Sequence, residues 1–258
     1  MRPRYKVVGD VALVRLRDGE DPKEVVDYLL GRLPRLRAVL AYEGVGGELR
    51  LPRVRLLHGE RPVVTRYAEH GVVYELDVER MMFSLGNKFE RLRVAALTRD
   101  WEVVVDAFAG IGQFSLPIAA LGRAVFVHAI EVNPEAYEYL VRNVRANGLE
   151  GRVRTHLGDC REVTKGLEGV ADRVVMGYFP GTIGYLDAGL RALRPGGGVV
   201  HLHDLVEGGS EEEYCARVVG GVKERGYDVR LLRTARVKSY SARLDHVVLD
   251  LLCLPRRP

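Results

Sequence analysis

Cysteine is scarce in the sequence, and long apolar runs are missing from it. The three cysteines, Cys160, Cys215 and Cys253, are far apart and form neither a CxxC motif nor a close Cys/His pair. This spacing argues against a disulfide framework and a zinc site, so we expect reduced thiols and no metal. No apolar run approaches the roughly 20 residues of a membrane span, and MRPRYKVVGD (1–10) has no signal-peptide core. We therefore expect a cytoplasmic protein without membrane segments.

Lysine is also rare. It supplies six of the 39 basic residues, so arginine dominates a chain whose formal net charge is +4. The planar guanidinium group binds phosphate and stacks on bases, which favours an RNA partner. A composition rich in arginine and glutamate is equally typical of a hot habitat or a GC-rich genome. Charge alone therefore does not identify the partner.

The first 68 residues are predicted to form a small α+β domain. Strand patterns occur in VALVRL (11–16), RAVLAYEGV (37–45) and RVRLLHGE (53–60), and PKEVVDYLLGRL (22–33) has the spacing of an amphipathic helix. In VVTRYAEHGVVYELD (63–77), two β-rich runs flank a turn-forming EHG, which predicts a hairpin leading into the second domain. We place the domain boundary near residue 68, with the second domain over 69–258.

From Trp101 onward, strand and helix patterns alternate. The β-rich runs are EVVVDAF, AVFVHAIEV, VRTHLGD, ADRVVMGY and GGVVHLHDLV, each followed by a helical pattern. This alternation predicts an α/β fold with right-handed crossovers and a parallel, Rossmann-like sheet covered on both faces. At the end, DVRLLRTARVKSY and HVVLDLLCL follow one another with no helix between them. They are predicted to form an antiparallel pair at the sheet edge.

A glycine-spaced turn lies within VVVDAFAGIGQFSLPIA (103–119). Ligands of open α/β sheets bind beyond the carboxyl ends of the strands, and Asp106 to Gly112 occupies that position after the first strand. Gly110 and Gly112 permit positive φ and close approach to a ligand. The spacing D-x-F-x-G-x-G differs from the G-x-G-x-x-G of dinucleotide enzymes. An acid at the strand end suits the cationic methionine part of S-adenosylmethionine (SAM) better than a pyrophosphate.

Two further acids follow the next two strands. Glu131 is placed to accept hydrogen bonds from both ribose hydroxyls of SAM, and Asp159 from its adenine amino group. Each acid taken singly is more simply explained as the cap of the following helix. Three acids at successive strand ends together favour a SAM pocket.

These acids and the seven-strand pattern resemble the class I SAM-dependent transferases over residues 100–254. A closer resemblance includes YELDVERMMFSLGNKFERLRVA (74–95), the glycine turn, AIEVNPEAYEYLVRNVRANG and ADRVVMGY. It is to the archaeal and eukaryotic enzymes that modify position 37 of tRNA, which comprise guanine-N1 methyltransferases and wybutosine-pathway aminocarboxypropyl transferases. The small N-terminal unit is similar to their linking domain, while a further tRNA-recognition domain of some relatives has no counterpart here.

The motif after the fourth strand separates the two activities of this group. Many amino-group methyltransferases carry [D/N/S]-P-P-[F/Y/W] there, and the guanine-N1 enzymes carry an Asn-Leu-Pro-like version. This chain has MGYFPG, in which Gly177 offers no side-chain acceptor to deprotonate a ring N–H. ADRVVMGY and HLHD instead resemble the aminocarboxypropyl transferases.

The resemblance therefore implies that the 3-amino-3-carboxypropyl group of SAM moves to a carbon of 4-demethylwyosine at position 37 of tRNA(Phe). The products would be the modified tRNA and 5′-methylthioadenosine, and the partner would be the anticodon loop. Guanine-N1 methyl transfer is the first alternative. A non-catalytic RNA-binding protein with the same fold is the second.

The resemblance also implies the residues that hold the cofactor. Ser84 and Arg91 match a serine and a basic residue that serve the cofactor, and Arg91 can hold a carboxylate bidentately. The alternatives are a helix cap for Ser84 and a helix-surface charge for Arg91. The predicted cofactor-binding set is Ser84, Arg91, Asp106, Phe108, Gly110, Gly112, Glu131, Val132, Asp159, Cys160 and Gly177, although Cys160 is also explained as a packing residue.

Substrate-side candidates are aromatic residues and a histidine. Tyr178 and Phe179 are suited to stack on a flipped base, with burial in the core as the alternative. His201 and His203 alternate on the fifth strand, so we expect one on each side of the sheet. His203 is a candidate for contact with substrate, and a satisfied structural histidine is its alternative. No residue of the sequence is assigned as general base.

Overall fold

The computed structural model describes residues 3–124 and 126–256, and the chain divides into two compact units, Met1–Leu85 and Gly86–Pro258. The first unit contains a four-stranded sheet in sequence order, formed by β1 (Arg4–Val8), β2 (Val11–Arg15), β3 (Ala38–Gly46) and β4 (Leu51–His58). Helix α1 (Pro22–Arg32) connects the parallel strands β2 and β3, and Asp21 caps its first turn. Its apolar residues Val25, Val26 and Leu29 pack with Val14 and Val39 of the sheet. The predicted α+β character of this region is confirmed.

A β-hairpin completes the first unit. Strands β5 (Val64–Glu69) and β6 (Val72–Asp77) pair antiparallel, as the sequence predicts. The two turn residues, His70 and Gly71, both have positive φ, 52° and 81°, which matches the right-handed twist of the paired strands. The two strands pair with each other, so the hairpin is not divided, and it lies within the first unit. The boundary predicted near residue 68 falls inside β5.

The second unit is built on one seven-stranded sheet. Its strands are β7 (Val103–Asp106), β8 (Phe126–Glu131), β9 (Val153–Leu157), β10 (Arg173–Met176), β11 (Gly198–Glu207), β12 (Tyr227–Ser239) and β13 (Leu244–Pro255). The order is β12-β13-β11-β10-β7-β8-β9, with β7 to β11 parallel. β13 is antiparallel to both β11 and β12. The predicted Rossmann-like sheet with its C-terminal antiparallel pair is confirmed.

Helices connect these strands. They are α2 (Lys88–Ala96), α3 (Ser115–Leu121), α4 (Pro134–Ala146), α5 (Cys160–Val163), α6 (Leu186–Ala192) and α7 (Glu211–Glu224). Residues of α6 and α7 form one continuous apolar core with β10, β11 and β13, including Val174, Leu190, Val218 and Leu249. Within the described residues, no helix is long and apolar enough to cross a membrane.

Strand order reverses around β7, because the chain passes from β9 across to β10 on the other side of it. The carboxyl end of β7 is therefore the position where a ligand crevice is expected.

Candidate active site

The predicted acids lie at one edge of the sheet. Asp106 is the last residue of β7 and Glu131 the last residue of β8, while Asp159 follows β9 by two residues. Because these strands are parallel neighbours, their carboxyl ends bring the three acids to the same edge. Their hydrogen bonds nevertheless give each acid a different local role.

Asp106 is fully buried and holds the turn that follows β7. Its carboxylate accepts from the Ser115 hydroxyl at 2.6 Å, from the Ser115 backbone N–H at 3.1 Å and from the Phe108 N–H at 3.4 Å. Burial raises the pKa of Asp106 to about 6, although the hydrogen bonds from Ser115 and Phe108 oppose that rise. The side chain therefore ties the end of β7 to the start of α3. Ser115 was not predicted, because the sequence marks it only as the first helical residue.

Glu131 is held rigidly by two backbone groups. One carboxylate oxygen accepts from Gly110 N–H at 2.7 Å, and the other accepts from Asn133 N–H at 2.8 Å. Burial raises its pKa, and these backbone hydrogen bonds counteract the rise. A carboxylate has about four lone-pair sites, so both oxygens keep accepting capacity. The side chain is thus preoriented to accept from a pair of hydroxyls.

The glycines of the turn are required by its geometry. Gly110 has φ +57° and Gly112 has φ +101°, a region that disfavours other residues. A Cβ atom on Gly112 would lie 2.6 Å from Cγ of Leu116 and 3.2 Å from Cδ1 of Leu140. The turn therefore packs tightly on α3 and α4, and the Gly110 N–H is aimed at Glu131.

Asp159 caps α5 and is engaged by the next residue. It accepts from the Arg161 backbone N–H at 2.8 Å and from Nε of its side chain at 3.0 Å, and this pairing lowers the pKa of Asp159. The helix-cap alternative is thus realised, and acceptance from adenine remains a prediction that requires Arg161 to share the carboxylate. Cys160 is buried, and burial raises the pKa of its thiol to about 12, so it packs as a neutral side chain.

Three aromatic rings cluster beside these acids. Phe108 stacks on Tyr178 with ring centroids 5.1 Å apart, and Tyr185 meets Phe108 edge-on at 5.0 Å. The guanidinium of Arg161 lies 5.1 Å from the centroid of the Tyr185 ring. Aromatic pairs of this geometry stabilise one another, and the cation–π contact holds Arg161 on Tyr185. Sequence reasoning missed Tyr185 and Arg161, which lie 7 and 17 residues from Tyr178 along the chain and join it only through the fold.

The loop after β10 is shaped by two residues from other elements. A Cβ atom on Gly177 would lie 3.1 Å from Cε2 of Phe114, so the aromatic ring occupies the space of a side chain there. Asp204 on β11 accepts from Gly181 N–H at 2.8 Å and from the Tyr214 hydroxyl at 2.6 Å. Asp204 belongs to the HLHD motif, yet its role in fastening this loop was not predicted. A side chain at residue 177 would therefore require the Phe114 ring to shift by a few tenths of an ångström.

Tyr178 and Phe179, the predicted aromatic pair, have different surroundings in the structure. Tyr178 is half-buried in the cluster with Phe108, whereas Phe179 is only 6% exposed and packs 4.5 Å from the His246 ring. Core burial, the alternative for both, thus holds for Phe179. Stacking on a base remains a prediction for Tyr178.

The expectation that His201 and His203 lie on opposite sides of the sheet is wrong. Side chains alternate between faces with a period of two residues, so residues two apart share a face. Both histidines are fully buried on the face that carries α2. His201 donates from Nδ1 to Asp250 at 2.6 Å, because its Nε2 must accept from the Arg173 guanidinium at 2.6 Å. Arg93 of α2 donates to the same carboxylate at 2.6 Å.

His203 forms an unusual pair with His246. Nδ1 of His203 lies 3.1 Å from Nε2 of His246, and burial lowers the two pKa values to about 3 and about 2. Within the described residues, Nε2 of His203 and Nδ1 of His246 have no hydrogen-bond partner. The alternative of a structural histidine with both ring nitrogens hydrogen-bonded therefore applies to Nδ1 of His203 and not to its Nε2. Contact of His203 with substrate remains a prediction.

The alternatives for Ser84 and Arg91 have different outcomes. Ser84 directly precedes a 3-10 turn, Leu85–Asn87, that leads into α2, so its helix-cap alternative stands beside the cofactor role. Arg91 is 1% exposed, so it is not a helix-surface charge. Val132 follows Glu131 and is 49% exposed at the sheet edge. Cofactor contact remains a prediction for all three residues.

Comparisons with known proteins show which families and solved structures the chain resembles. The model of the TRM5/TYW2 methyltransferase domain matches residues 65–230. A tRNA(Phe) (4-demethylwyosine(37)-C(7)) aminocarboxypropyltransferase of Methanocaldococcus jannaschii is 37% identical over 250 residues, 96% of either chain. The crystal structure of P. horikoshii TYW2 in complex with MeSAdo superposes with a TM-score of 0.86 at 35% identity, over 97% of this chain and 90% of that one. The M. jannaschii tRNA m1G37 methyltransferase superposes with a TM-score of 0.82 at 28% identity, over 98% and 72%.

Proposed function

The chain belongs to the TRM5/TYW2 methyltransferase family, and from this premise we infer that it transfers the 3-amino-3-carboxypropyl group of SAM to 4-demethylwyosine at position 37 of tRNA(Phe). The reaction releases 5′-methylthioadenosine and forms a wybutosine derivative. The substrate base lies in the anticodon loop, and the reaction takes place in the cytoplasm. The observation that carries this proposal is the similarity to an archaeal aminocarboxypropyltransferase along nearly the whole of both chains.

The loop after β10 supports carbon as the acceptor atom. Transfer to a ring nitrogen that bears a hydrogen is aided by a side chain that accepts this hydrogen. At Gly177, the Phe114 ring fills the space that such a side chain would need, with an ideal Cβ only 3.1 Å away. An electron-rich carbon needs no such acceptor to be nucleophilic. The packing of Phe114 on Gly177 therefore disfavours guanine-N1 methyl transfer, the first alternative.

The residues at the sheet edge fit SAM. SAM supplies a sulfonium centre, which makes its Cγ electrophilic and its thioether a good leaving group. Glu131, oriented by Gly110 and Asn133, accepts from the ribose hydroxyls. Phe108 and Tyr185 offer apolar ring surfaces for adenine, while Tyr178 remains the candidate for stacking on the substrate base. Arg91 binds the carboxylate of the group to be transferred, so that the amino-acid arm rather than the methyl group faces the base.

Product analysis tests this function. We expect incubation with SAM and tRNA(Phe) carrying 4-demethylwyosine to yield 5′-methylthioadenosine in a one-to-one ratio with aminocarboxypropylated tRNA, measured by chromatography and mass spectrometry. The control is the same tRNA with unmodified guanosine at position 37, for which we expect no product. Release of S-adenosylhomocysteine with methylated guanosine would instead establish the first alternative. Absence of SAM binding in calorimetry would establish the non-catalytic alternative.

Replacing Glu131 tests the ribose contact. Glu131→Ala should weaken SAM binding by about 1–3 kcal/mol, or about 5- to 150-fold in dissociation constant, because two hydroxyls lose their acceptor. Titration calorimetry with SAM measures the change, and circular dichroism verifies folding. Glu138→Ala removes an exposed carboxylate of α4 and serves as the control. Equal affinity of the two variants for SAM would remove Glu131 from the proposed pocket.

A further inference from the structure

The edge strand β12 and the turn after it carry a strip of basic side chains. We propose that this basic edge, comprising Arg230, Arg233, Arg236, Lys238 and Arg243, binds the phosphate backbone of the substrate tRNA and guides it to the active site. The inference rests on the proposed function for the identity of the RNA. It assigns a docking surface that the reaction itself does not specify.

Charge is concentrated in this segment. Residues 229–243 contain five basic residues and no acidic one, a formal charge of +5, whereas the entire chain carries +4. The remainder of the chain is therefore close to neutral. A phosphate backbone is the polyanion that such a local excess attracts.

Three of the five cations of the strip are not neutralised by a carboxylate of another described residue. Arg230, Arg233 and Arg243 are exposed and form no ion pair with another described residue. Some exposed arginines elsewhere in the second unit are paired with carboxylates, as Arg123 is with Asp100, Arg194 with Asp172 and Arg256 with Asp228, whereas isolated ones such as Arg99 and Arg145 have no such partner among the described residues. Within the strip, Arg236 has such a partner, Asp245 at 3.1 Å. Three guanidinium groups are thus available to an external anion.

Strand register places several of these cations on one face. Arg230, Arg233 and Lys238 lie opposite Leu252, Asp250 and His246 of β13. Those three β13 residues are separated by even numbers of positions, so their side chains and the side chains opposite them share a face of the sheet. The bulges between Leu231 and Arg233 and between Arg236 and Lys238 preserve this alignment. Arg236, which lies opposite Val247, is on the other face of the same strand, and Arg243 lies in the turn after it.

The direction of β12 leads the strip to the active site. β12 is antiparallel to β13, and β13 is antiparallel to β11, so β12 runs in the same direction as β7 and β8. Its carboxyl end therefore lies at the same end of the sheet as Asp106 and Glu131, the last residues of β7 and β8. With 13 residues, the strand spans about 40 Å. In the turn that follows, Tyr240 meets the ring of Phe179, 6.0 Å away, which joins this turn to the loop after β10.

An exposed edge strand also invites pairing with a second copy of the chain. Charged side chains on an edge strand, such as those of arginine, commonly prevent such pairing. Two copies paired along β12 would bring several unpaired guanidinium groups into apposition, which disfavours a dimer at this edge. An RNA phosphate backbone is complementary to the same groups.

The test is the salt dependence of tRNA binding by a triple variant, Arg230→Ser with Arg233→Ser and Arg243→Ser. Arg236 and Lys238 are retained because of the Arg236 ion pair with Asp245 and the packing of Lys238 over Gly86. We expect tRNA binding to weaken by about tenfold or more near 0.1 M salt, and the slope of log K against log salt to decrease in magnitude by about 2 to 3. SAM affinity should not change.

A matched control removes the same charge at the opposite end of the sheet. Arg99 precedes β7, and Arg145 and Lys223 lie in the last turns of α4 and α7, which lead to the starts of β9 and β12. The triple serine variant at these exposed positions should change the slope by less than 1. Equal slopes and affinities for the two triple variants would overturn the inference while leaving the proposed function intact. Dimerisation of the β12 variant in light scattering, with unchanged tRNA binding, would show that the strip is only an edge guard. Failure of the parent protein to bind tRNA would overturn both proposals.

Discussion

Replacing Asp250 by alanine should lower the free energy of unfolding by about 3–5 kcal/mol. The Asp250 carboxylate is buried between β13 and α2, where it accepts from His201 at 2.6 Å and from two nitrogens of Arg93 at 2.6 and 3.1 Å. Burial by itself would raise its pKa, but the hydrogen bonds from His201 and Arg93 outweigh this effect and lower it. Alanine would leave buried donors, one of them charged, without their acceptor. Urea denaturation followed by circular dichroism measures the difference.

Asp187→Ala provides a matched control for this prediction. Asp187 also receives two hydrogen bonds from one arginine, Arg225, at 2.7 and 3.0 Å, but its side chain is 62% exposed. Solvent screens an exposed ion pair, so its loss should cost only about 0–1 kcal/mol. The two sites share a two-nitrogen arginine contact and differ in burial and in the additional hydrogen bond from His201, so the contrast measures what the buried network contributes. Equal costs would mean that the Asp250 network does not hold α2 on the sheet.

The sequence was most informative where local pattern determines structure. Strands β7 to β11 were predicted because short β-branched runs alternate with amphipathic helices, and the parallel sheet follows from that alternation. The hairpin was predicted because EHG supplies turn residues that tolerate positive φ. Strand β1 was missed, since RYKVV alternates charged and apolar residues over only five positions. The helix expected after β9 is present as α5, but it is only four residues long.

The candidate site was predicted in position but less well in its internal contacts. Three acids at strand ends could be placed from topology alone. Which group each acid contacts depends on residues distant in sequence, such as Glu131 with Gly110, 21 positions apart. The same limit hid Asp204, Tyr185 and His246, each of which enters its cluster through tertiary packing. The misplacement of His201 and His203 had a different cause, since the two-residue period of a strand already puts them on one face.

Lowering the pH from about 6.5 towards 5 should destabilise the protein substantially, because five of its seven histidines have lowered pKa values in the folded state. Burial is the first cause for each of them, and the values reach about 4 for His128, about 3 for His203 and about 2 for His246. In the unfolded chain these imidazoles bind protons once the pH falls below about 6.5. The unfolded state then holds more protons than the folded state, so the free energy of unfolding falls with pH.

Two carboxylates oppose this trend. Burial raises the pKa of Asp106 to about 6 and also raises that of Glu131, so each binds its proton at a higher pH in the folded state than in the unfolded state, which stabilises the folded state on acidification. The lowered pKa values of His128, His203 and His246 act against the raised pKa of Asp106, and the effect of His128 is reduced because it is only half-buried, so the net slope should be on the order of 2 kcal/mol per pH unit. Urea titrations at pH 7, 6 and 5 measure this slope directly. His246→Gln removes one buried imidazole and should reduce the slope by about 1 kcal/mol per pH unit. A stability that is flat over this range, or a slope that His246→Gln does not change, would contradict the assignment of neutral, buried histidines.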